Sequence, residues 1–381
     1  MNRSLNSIVV GVAATIMLAP MLPAQAKGFQ VIHAFQGGAD GSAPRADLIA
    51  DAAGNLYGTT SWAGDCDYCG TVFKIAPDGT ETVLHVFGAF KGDGELPEDA
   101  VTVDADGNLY GTTRNGGASG LGSVFKIAPD GTETILHSFS GMVANPYGGL
   151  LLDKKGNLTG TTFLYAGTVF KLTAGGKFKT LHTFDGVAEG SNPLDTLISD
   201  RSGNLYGTLY LGGPYNGYSG TIFELSPQHV ATTLYAFSGT SDGCNPGSRL
   251  LRDKSGNLYG TASGSTEDTS CNLGTVFKLA PDGTLKVLHS FSGNDGESPF
   301  ADVISDAKGN LYGTAFGGGS IGCGVVFRIA PDGSYRVLHD FQGANDGCGP
   351  AAGLLLLNGT LYGTTAFDGP YGYGMVFGLA E

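Results

Sequence analysis

Gly54-Asn55-Leu56-Tyr57-Gly58-Thr59-Thr60, followed by Gly70-Thr71-Val72-Phe73-Lys74-Ile75-Ala76-Pro77-Asp78-Gly79, decides the fold, because both strings return along the chain. The first recurs from Gly107, Gly156 (with Thr159 in place of Tyr), Gly203, Gly256 and Gly309, and in altered form as Asn358-Gly359-Thr360-Leu361-Tyr362-Gly363-Thr364. The second recurs from Gly122, Gly167, Gly220, Gly274 and Gly324, and truncated from Gly374. A third string, Leu84-His85-Val86-Phe87, follows every copy of the second except the last. Pro44, Pro97, Pro146, Pro193, Pro246, Pro299 and Pro350 precede the units at spacings of 47 to 53 residues. There are seven units.

Each unit reads as four short strands. Leu48-Ile49-Ala50 is the first, and Asp51-Ala52-Ala53-Gly54 is a turn whose Asp can bond the backbone and whose Gly can take positive φ. Residues 55–60 form the second strand, 71–76 the third and 81–87 the fourth, with Pro77-Asp78-Gly79 as a hairpin turn. Beyond residue 26 no amphipathic helical pattern of useful length occurs. Four strands per unit of this length predict a seven-bladed, all-β propeller. The seventh unit stops at Glu381 without a fourth strand, while Phe29 to Phe35 is a fourth strand with no unit before it. The N-terminal strand should therefore complete the last blade beside Met375 to Leu379, closing the ring and removing two sheet edges.

The recurring Gly-Asn-Leu-Tyr-Gly-Thr-Thr and Gly-Thr-Val-Phe-Lys-Ile-Ala-Pro-Asp-Gly strings resemble the GloVer tandem repeat of exported bacterial "choice-of-anchor" proteins, from Phe29 to Leu379. The resemblance implies an exported propeller and brings no established activity or catalytic residue. A looser likeness to NHL-type and streptogramin-lyase-type propellers is one of fold and transfers no site.

Composition narrows the function classes. With 21 Lys plus Arg against 35 Asp plus Glu the formal net charge is −14, which repels phosphate backbones and excludes nucleic acid as an expected partner. Residues 1–26 carry one charge, Arg3, an apolar run from Ile8 to Leu22 and the small-residue site Ala24-Gln25-Ala26. They read as a secretory signal peptide, leaving residues 27–381 as the propeller, secreted or periplasmic, monomeric and without a membrane span. An uncleaved N-terminal anchor is the alternative. Six cysteines in an exported chain favour disulfides, paired as Cys66–Cys69, Cys244–Cys271 and Cys323–Cys348. Neither a thioredoxin-like βαβ context nor four converging zinc ligands accompanies Cys66 and Cys69.

A residue needed once for chemistry has no reason to recur in every blade. His33, His85, His137, His182, His289 and His339 share one fourth-strand position, with Tyr235 in the seventh, and read as buried rings whose polar tip bonds a neighbouring blade. No metal site is expected from them. The recurring Tyr57 and its equivalents read as packing between blades. The Asp-Gly pairs at Asp40, Asp93, Asp242, Asp295 and Asp346 read as turn chemistry; calcium is the one cofactor they raise, and no Asp-x-Asp-x-Asp-Gly loop supports it. No nucleophile elbow, phosphate loop or His-Glu-x-x-His motif appears.

The unique positions fall on one face. The loops between the second and third strands and the loops linking blades should open on the same side, the latter ending at the central channel. The three residues after each Pro then line its mouth, and their charged members are Arg45, Asp47, Glu98, Asp99, Asp195, Arg249 and Asp302. A carboxylate ring in a narrowing funnel is a place for shifted pKa values and ligand binding, unless its charges simply pair off in water. The same face carries Trp62, Tyr68, Phe163, Tyr165, Tyr210, Tyr215, Tyr218, Phe367, Tyr371 and Tyr373, and aromatic faces beside carboxylates suit sugar rings. Loop packing is the plainer explanation. The reading favoured is a binding module for a glycan, cell-surface polymer or protein through this face, with Glu98 among the polar contacts. The alternatives are a lyase or hydrolase on a saccharide or ester, using two of Asp47, Asp99, Asp195 and Asp302 as acid and base with Arg45 or Arg249 holding an anionic group, and a purely structural envelope protein.

Overall fold

The repeated strings become antiparallel four-stranded sheets. In blade 1 the strands are Ile49–Ala50, Leu56–Thr60, Thr71–Ile75 and Glu81–Val86, hydrogen-bonded in that order. Blades 2 to 6 repeat the arrangement over residues 102–138, 151–183, 198–236, 251–290 and 304–340. This computed structural model describes residues 28–63, 69–215, 219–239, 241–264 and 271–381, and among them there is no helix. The expected signal peptide lies outside the described residues. Among the described residues no helix is long and apolar enough to cross a membrane.

Blade 7 is built from both ends of the chain. Leu355–Leu357, Thr360–Thr365 and Met375–Ala380 are its inner three strands, and Phe29–Ala34 is the fourth. Phe29 lies opposite Leu379 and Ala34 opposite Met375, the closure expected from the sequence.

The motif residues each have a structural task. Gly58 recurs because the Phe73 ring lies on it; an added Cβ would come within 2.6 Å of that ring. Asp51 accepts hydrogen bonds from the amides of Ala53 and Asn55, from the Asn55 side chain and from the Tyr57 hydroxyl, so Asp, Asn and Tyr recur together. Blade 7 has Leu357-Asn358-Gly359 instead and makes a shorter turn. In each outer strand the register slips beside the third, as between Val72 and Phe73, leaving Leu84 unpaired as a bulge that packs toward blade 2.

Phenylalanines join the blades. Phe35 and Phe73, Phe87 and Phe125, Phe139 and Phe170, Phe184 and Phe223, Phe237 and Phe277, Phe291 and Phe327, and Phe341 and Phe377 pair at 4.9–5.4 Å, one pair per interface. These tilted and edge-on contacts are the favourable geometry for aromatic rings. The pair between blades 7 and 1, Phe35 and Phe73, is equivalent to the other six.

Two predicted disulfides form, Cys244–Cys271 and Cys323–Cys348, fitting an oxidising, extracytoplasmic compartment. Cys69 is also disulfide-bonded, while Cys66 lies outside the described residues.

Candidate functional site

Each linking loop turns into the channel through a strained residue. Ala43, Leu96, Asn145, Asn192, Asn245 and Ser298, each just before a Pro, have φ between 52° and 62°, and Gly349 takes the seventh place at 68°. This left-handed conformation is unfavourable for a side-chain-bearing residue, and doubly so before Pro. The surroundings hold it. Ser42 bridges to Trp62, Ser191 to Leu211, Glu297 to Gly317 and Cys348 to Phe367, tying each linking loop to the loop between the second and third strands of its blade. Both loop sets therefore share one face, as expected.

The post-proline residues meet around a cavity of about 370 Å³. Five of the seven expected charged residues line it: Arg45, Asp47, Glu98, Asp99 and Asp195. Arg249 and Asp302 line a second cavity of about 500 Å³ among first-strand residues such as Leu151, Ile198 and Ile304. A layer of carboxylates with one guanidinium thus divides the channel.

Hydrogen bonds show how the layer holds together. Asp47 accepts from the Gly353 amide at 2.6 Å, Asp99 from the Gly149 amide at 2.6 Å and Asp195 from the Arg249 amide at 2.8 Å, each bond joining adjacent blades. Asp99 and Asp195 also accept from the amides that follow them, Ala100 and Thr196. The Arg249 side chain donates to Asp302 Oδ2 at 3.0 and 2.6 Å and lies 3.3 Å from Asp47. Asp302 Oδ1 is buried without a partner. Gly353 is required here, since a Cβ would overlap the Asp302 carboxylate.

Burial raises the carboxyl pKa values, and the acids raise one another. Asp99 is pushed up to about 6 by burial and then by Asp47, against its two amide bonds. Asp302 is pushed up to about 7 by burial and Asp47, with Arg249 opposing. Asp195 stands well above the carboxylate range through burial and the charges of Asp99, Asp47 and Asp302. Arg249 is held firmly cationic, first by Asp302. Glu98 is raised by burial, against Arg45 and Arg114.

Aromatic rings wall the upper cavity, though mostly not the expected ones. Tyr147, Tyr210, Phe300 and Phe316 line it. Trp62 stands beside it with the Arg45 guanidinium over its ring at 5.3 Å, and the same guanidinium lies 5.5 Å from Phe367. Arg114 covers Tyr147 at 5.4 Å. Tyr165, Tyr215, Tyr371 and Tyr373 are exposed on the loops and do not line the cavity, while Tyr68 and Tyr218 lie outside the described residues. Tyr147 and Phe300 directly follow Pro146 and Pro299, so reading the post-proline positions for rings as well as charges would have found them.

The recurring histidines require a correction. In four of the six the polar partner is the acid of their own outgoing loop: Asp93 for His85, Glu189 for His182, Asp295 for His289 and Asp346 for His339, at 2.9–3.4 Å, with the Tyr235 hydroxyl on Asp242 at 2.8 Å. Asp93, Asp242, Asp295 and Asp346 of the Asp-Gly pairs therefore do more than shape their turns. The neighbouring blade supplies a covering side chain, a stacked ring in three cases: Phe178 on His137, Tyr335 on His289 and Phe29 on His339. Short-range alternation showed the face these rings occupy and could not show which loop returns to them.

Comparison with solved structures matches this architecture. Virginiamycin B lyase from Staphylococcus aureus superposes with a TM-score of 0.66 at 12% identity, over 93% of this chain and 99% of that one. The extracellular domain of BT4673 from B. thetaiotaomicron, described as a one-component system, gives 0.60 at 12% identity, over 92% and 40%. A gluconolactonase from Xanthomonas campestris gives 0.43 at 17% identity, over 72% and 82%. At these identities the likeness is one of fold. No curated protein matches the chain in sequence. The Gloeobacter/Verrucomicrobia repeat matches residues 20–166, 164–301 and 264–381, which takes in every blade. The repeated strings, the seven blades and this match agree: the chain belongs to the Gloeobacter/Verrucomicrobia repeat family.

Proposed function

We propose that this propeller is an exported, monomeric binding module that takes a saccharide unit of a glycan or cell-surface polymer into the upper channel cavity. The observation that carries the reading is the pairing of an aromatic wall, Tyr147, Tyr210, Phe300 and Phe316, with the polar groups of Arg45, Glu98 and Asp99 in one cavity of about 370 Å³. A sugar presents apolar C–H faces to rings and hydroxyl groups to carboxylates, and the volume lies at the small end of ligand sites, about 300–1,000 Å³. Trp62, Tyr371, Tyr373, Tyr165 and Tyr215 would meet a longer polymer at the rim. A glycan array probed with the oxidised protein tests this. Phe300→Ala and Glu98→Gln should each weaken the selected ligand at least tenfold; silence on every glycan, or binding untouched by both changes, refutes it.

One observation favours an enzyme as the second reading. Asp99 and Asp195 face the same cavity with raised carboxyl pKa values, as a proton-transferring pair would. Their oxygens are engaged by main-chain amides, however, which suits carboxylates that tie blades together. The fold hosts a lyase elsewhere, and at 12% identity that carries no residue across. Turnover of an array-selected saccharide or ester that Asp99→Asn abolishes, with binding kept, would place the enzyme first. If neither binding nor turnover is found, the structural envelope role takes its place.

A further inference from the structure

The outer rim carries two clusters that the channel site does not use. His85, Asp93 and Glu133 each bring one ligand atom into a group whose members lie within 4.8 Å of one another, and His33, Asp40 and Glu81 do the same. Both clusters span blade interfaces. His85 and Asp93 belong to blade 1 and its outgoing loop, and Glu133 opens the outer strand of blade 2. His33 lies in the N-terminal strand that completes blade 7, and Glu81 opens the outer strand of blade 1.

The covering position sets these two apart. The first residue of the outer strand is Phe178, Ala231, Leu285, Tyr335 or Phe29 in the other five blades, all uncharged. Only Glu81 and Glu133 place a second carboxylate beside the imidazole and the loop acid. Glu133 has a side chain only 5% exposed, yet its Oε1 has no hydrogen-bond partner, and Asp93 beside it is fully buried. Its other oxygen lies 3.7 Å from His85 Nε2, which is 3.4 Å from Asp93 Oδ1. In the second cluster Glu81 Oε1 and His33 Nε2 are likewise buried without a hydrogen-bond partner. Two carboxylates facing one imidazole, buried in the first cluster and largely buried in the second, call for a positive charge between them.

We propose that His85–Asp93–Glu133 and His33–Asp40–Glu81 each bind a divalent first-row transition-metal ion of the zinc or manganese kind. One imidazole nitrogen and two carboxylates suit such an ion, and their two negative charges balance it. Calcium is less suited, since it takes six to eight oxygen ligands. Three protein ligands leave coordination positions for water. The ions would pin blade 1 on both flanks, one of them across the seam where the N-terminal strand meets it.

The test is calorimetric titration of the EDTA-treated protein with zinc, and separately with manganese, alongside melting curves. Wild type should bind two ions and melt several degrees higher with metal. Glu133→Gln and Glu81→Gln should each remove one ion, and the double variant both, together with the rise in melting temperature. Each Gln variant removes a buried like charge, so it should fold and its metal-free form should melt no lower than wild type. Wild type that takes up no metal, while Glu133→Gln raises the metal-free melting temperature, would show that the carboxylates share a proton and would overturn the proposal. Uptake unchanged in the double variant would place the ions elsewhere and overturn it equally.

Discussion

Replacing Arg249 with Gln should destabilise the propeller in a pH-dependent way, because Arg249 is the only cation hydrogen-bonded within the carboxylate layer among the described residues. Stranding one partner of a buried ion pair costs about 3–5 kcal/mol. Asp302 is almost fully buried at 4% exposure, but the Arg249 side chain is 35% exposed, so solvent screens part of the interaction. That brings the expectation down to about 2–3 kcal/mol at pH 8.5. The sign with pH follows from Asp302. Its folded pKa, about 7, is above the unfolded value. Its contribution to stability is therefore complete below about pH 4 and is lost as pH rises through 7. Without Arg249 the Asp302 carboxyl rises further and stays protonated longer, so Asp302 strands no charge at pH 5.5 and only the more exposed Asp47 loses its partner. The gap between wild type and variant should be under about 1 kcal/mol there and open above pH 7. Urea unfolding followed by the fluorescence of Trp62, the single tryptophan, reads both conditions. A penalty equal at pH 5.5 and 8.5 would refute the reasoning. The double change Arg249→Met, Asp302→Leu should recover part of the loss at pH 8.5, since it removes the buried Asp302 charge together with its partner and leaves only the more exposed Asp47 without the guanidinium.

Three further outcomes follow from the same geometry. Deleting residues 27–35 removes the fourth strand of blade 7 and the rings of Phe29 and Phe35, so the cooperative melting transition should vanish; an unchanged melting temperature would disprove the closure. Gly353→Ala drives a methyl group into the Asp302 carboxylate and should cost about 3 kcal/mol or more in urea unfolding, whereas Gly359→Ala, with open space around it but φ of 80°, should cost only the backbone strain of about 1–2 kcal/mol. Ser298→Gly relieves a φ of 52° and should raise stability by about 0.5–1 kcal/mol, measured the same way; a loss would mean the side chain, not the backbone, holds that loop.

The repeat carried most of the fold in plain view. Blade count, strand order, the closing strand and the two described disulfides follow from where Leu-Tyr-Gly-Thr and Val-Phe-Lys-Ile recur and where the last copy stops. Five of the cavity's residues were readable from the prolines, because each Pro marks the point where the chain enters the channel. What stayed hidden depends on proximity between blades. That Arg249 reaches both Asp47 and Asp302, or that Gly353 donates to Asp47, is set by how seven wedges meet at an axis, and no spacing along one strand encodes it. The histidine partners were missed for a related reason: the acid lies close in sequence, but a loop of variable length brings it back. The Glu at position 81 and its counterpart at 133 could have been noticed, since a charged residue breaks a position that is otherwise apolar or aromatic.

The N-terminal strand also sets a timetable for the living chain. Blades 1 to 6 are contiguous in sequence, and each can pair its own four strands as soon as they emerge. Blade 7 cannot: its outer strand comes before the other blades in sequence and its inner three come after them. Until those three strands are in place, the chain is an open arc with an apolar flank at each end, and Phe29–Ala34 waits unpartnered while the other blades form. Met375–Ala380 acts as a latch, so a chain cut short anywhere in blade 7 leaves the arc open. Quality control that recognises exposed apolar surface could therefore tell finished molecules from truncated ones by this single joint.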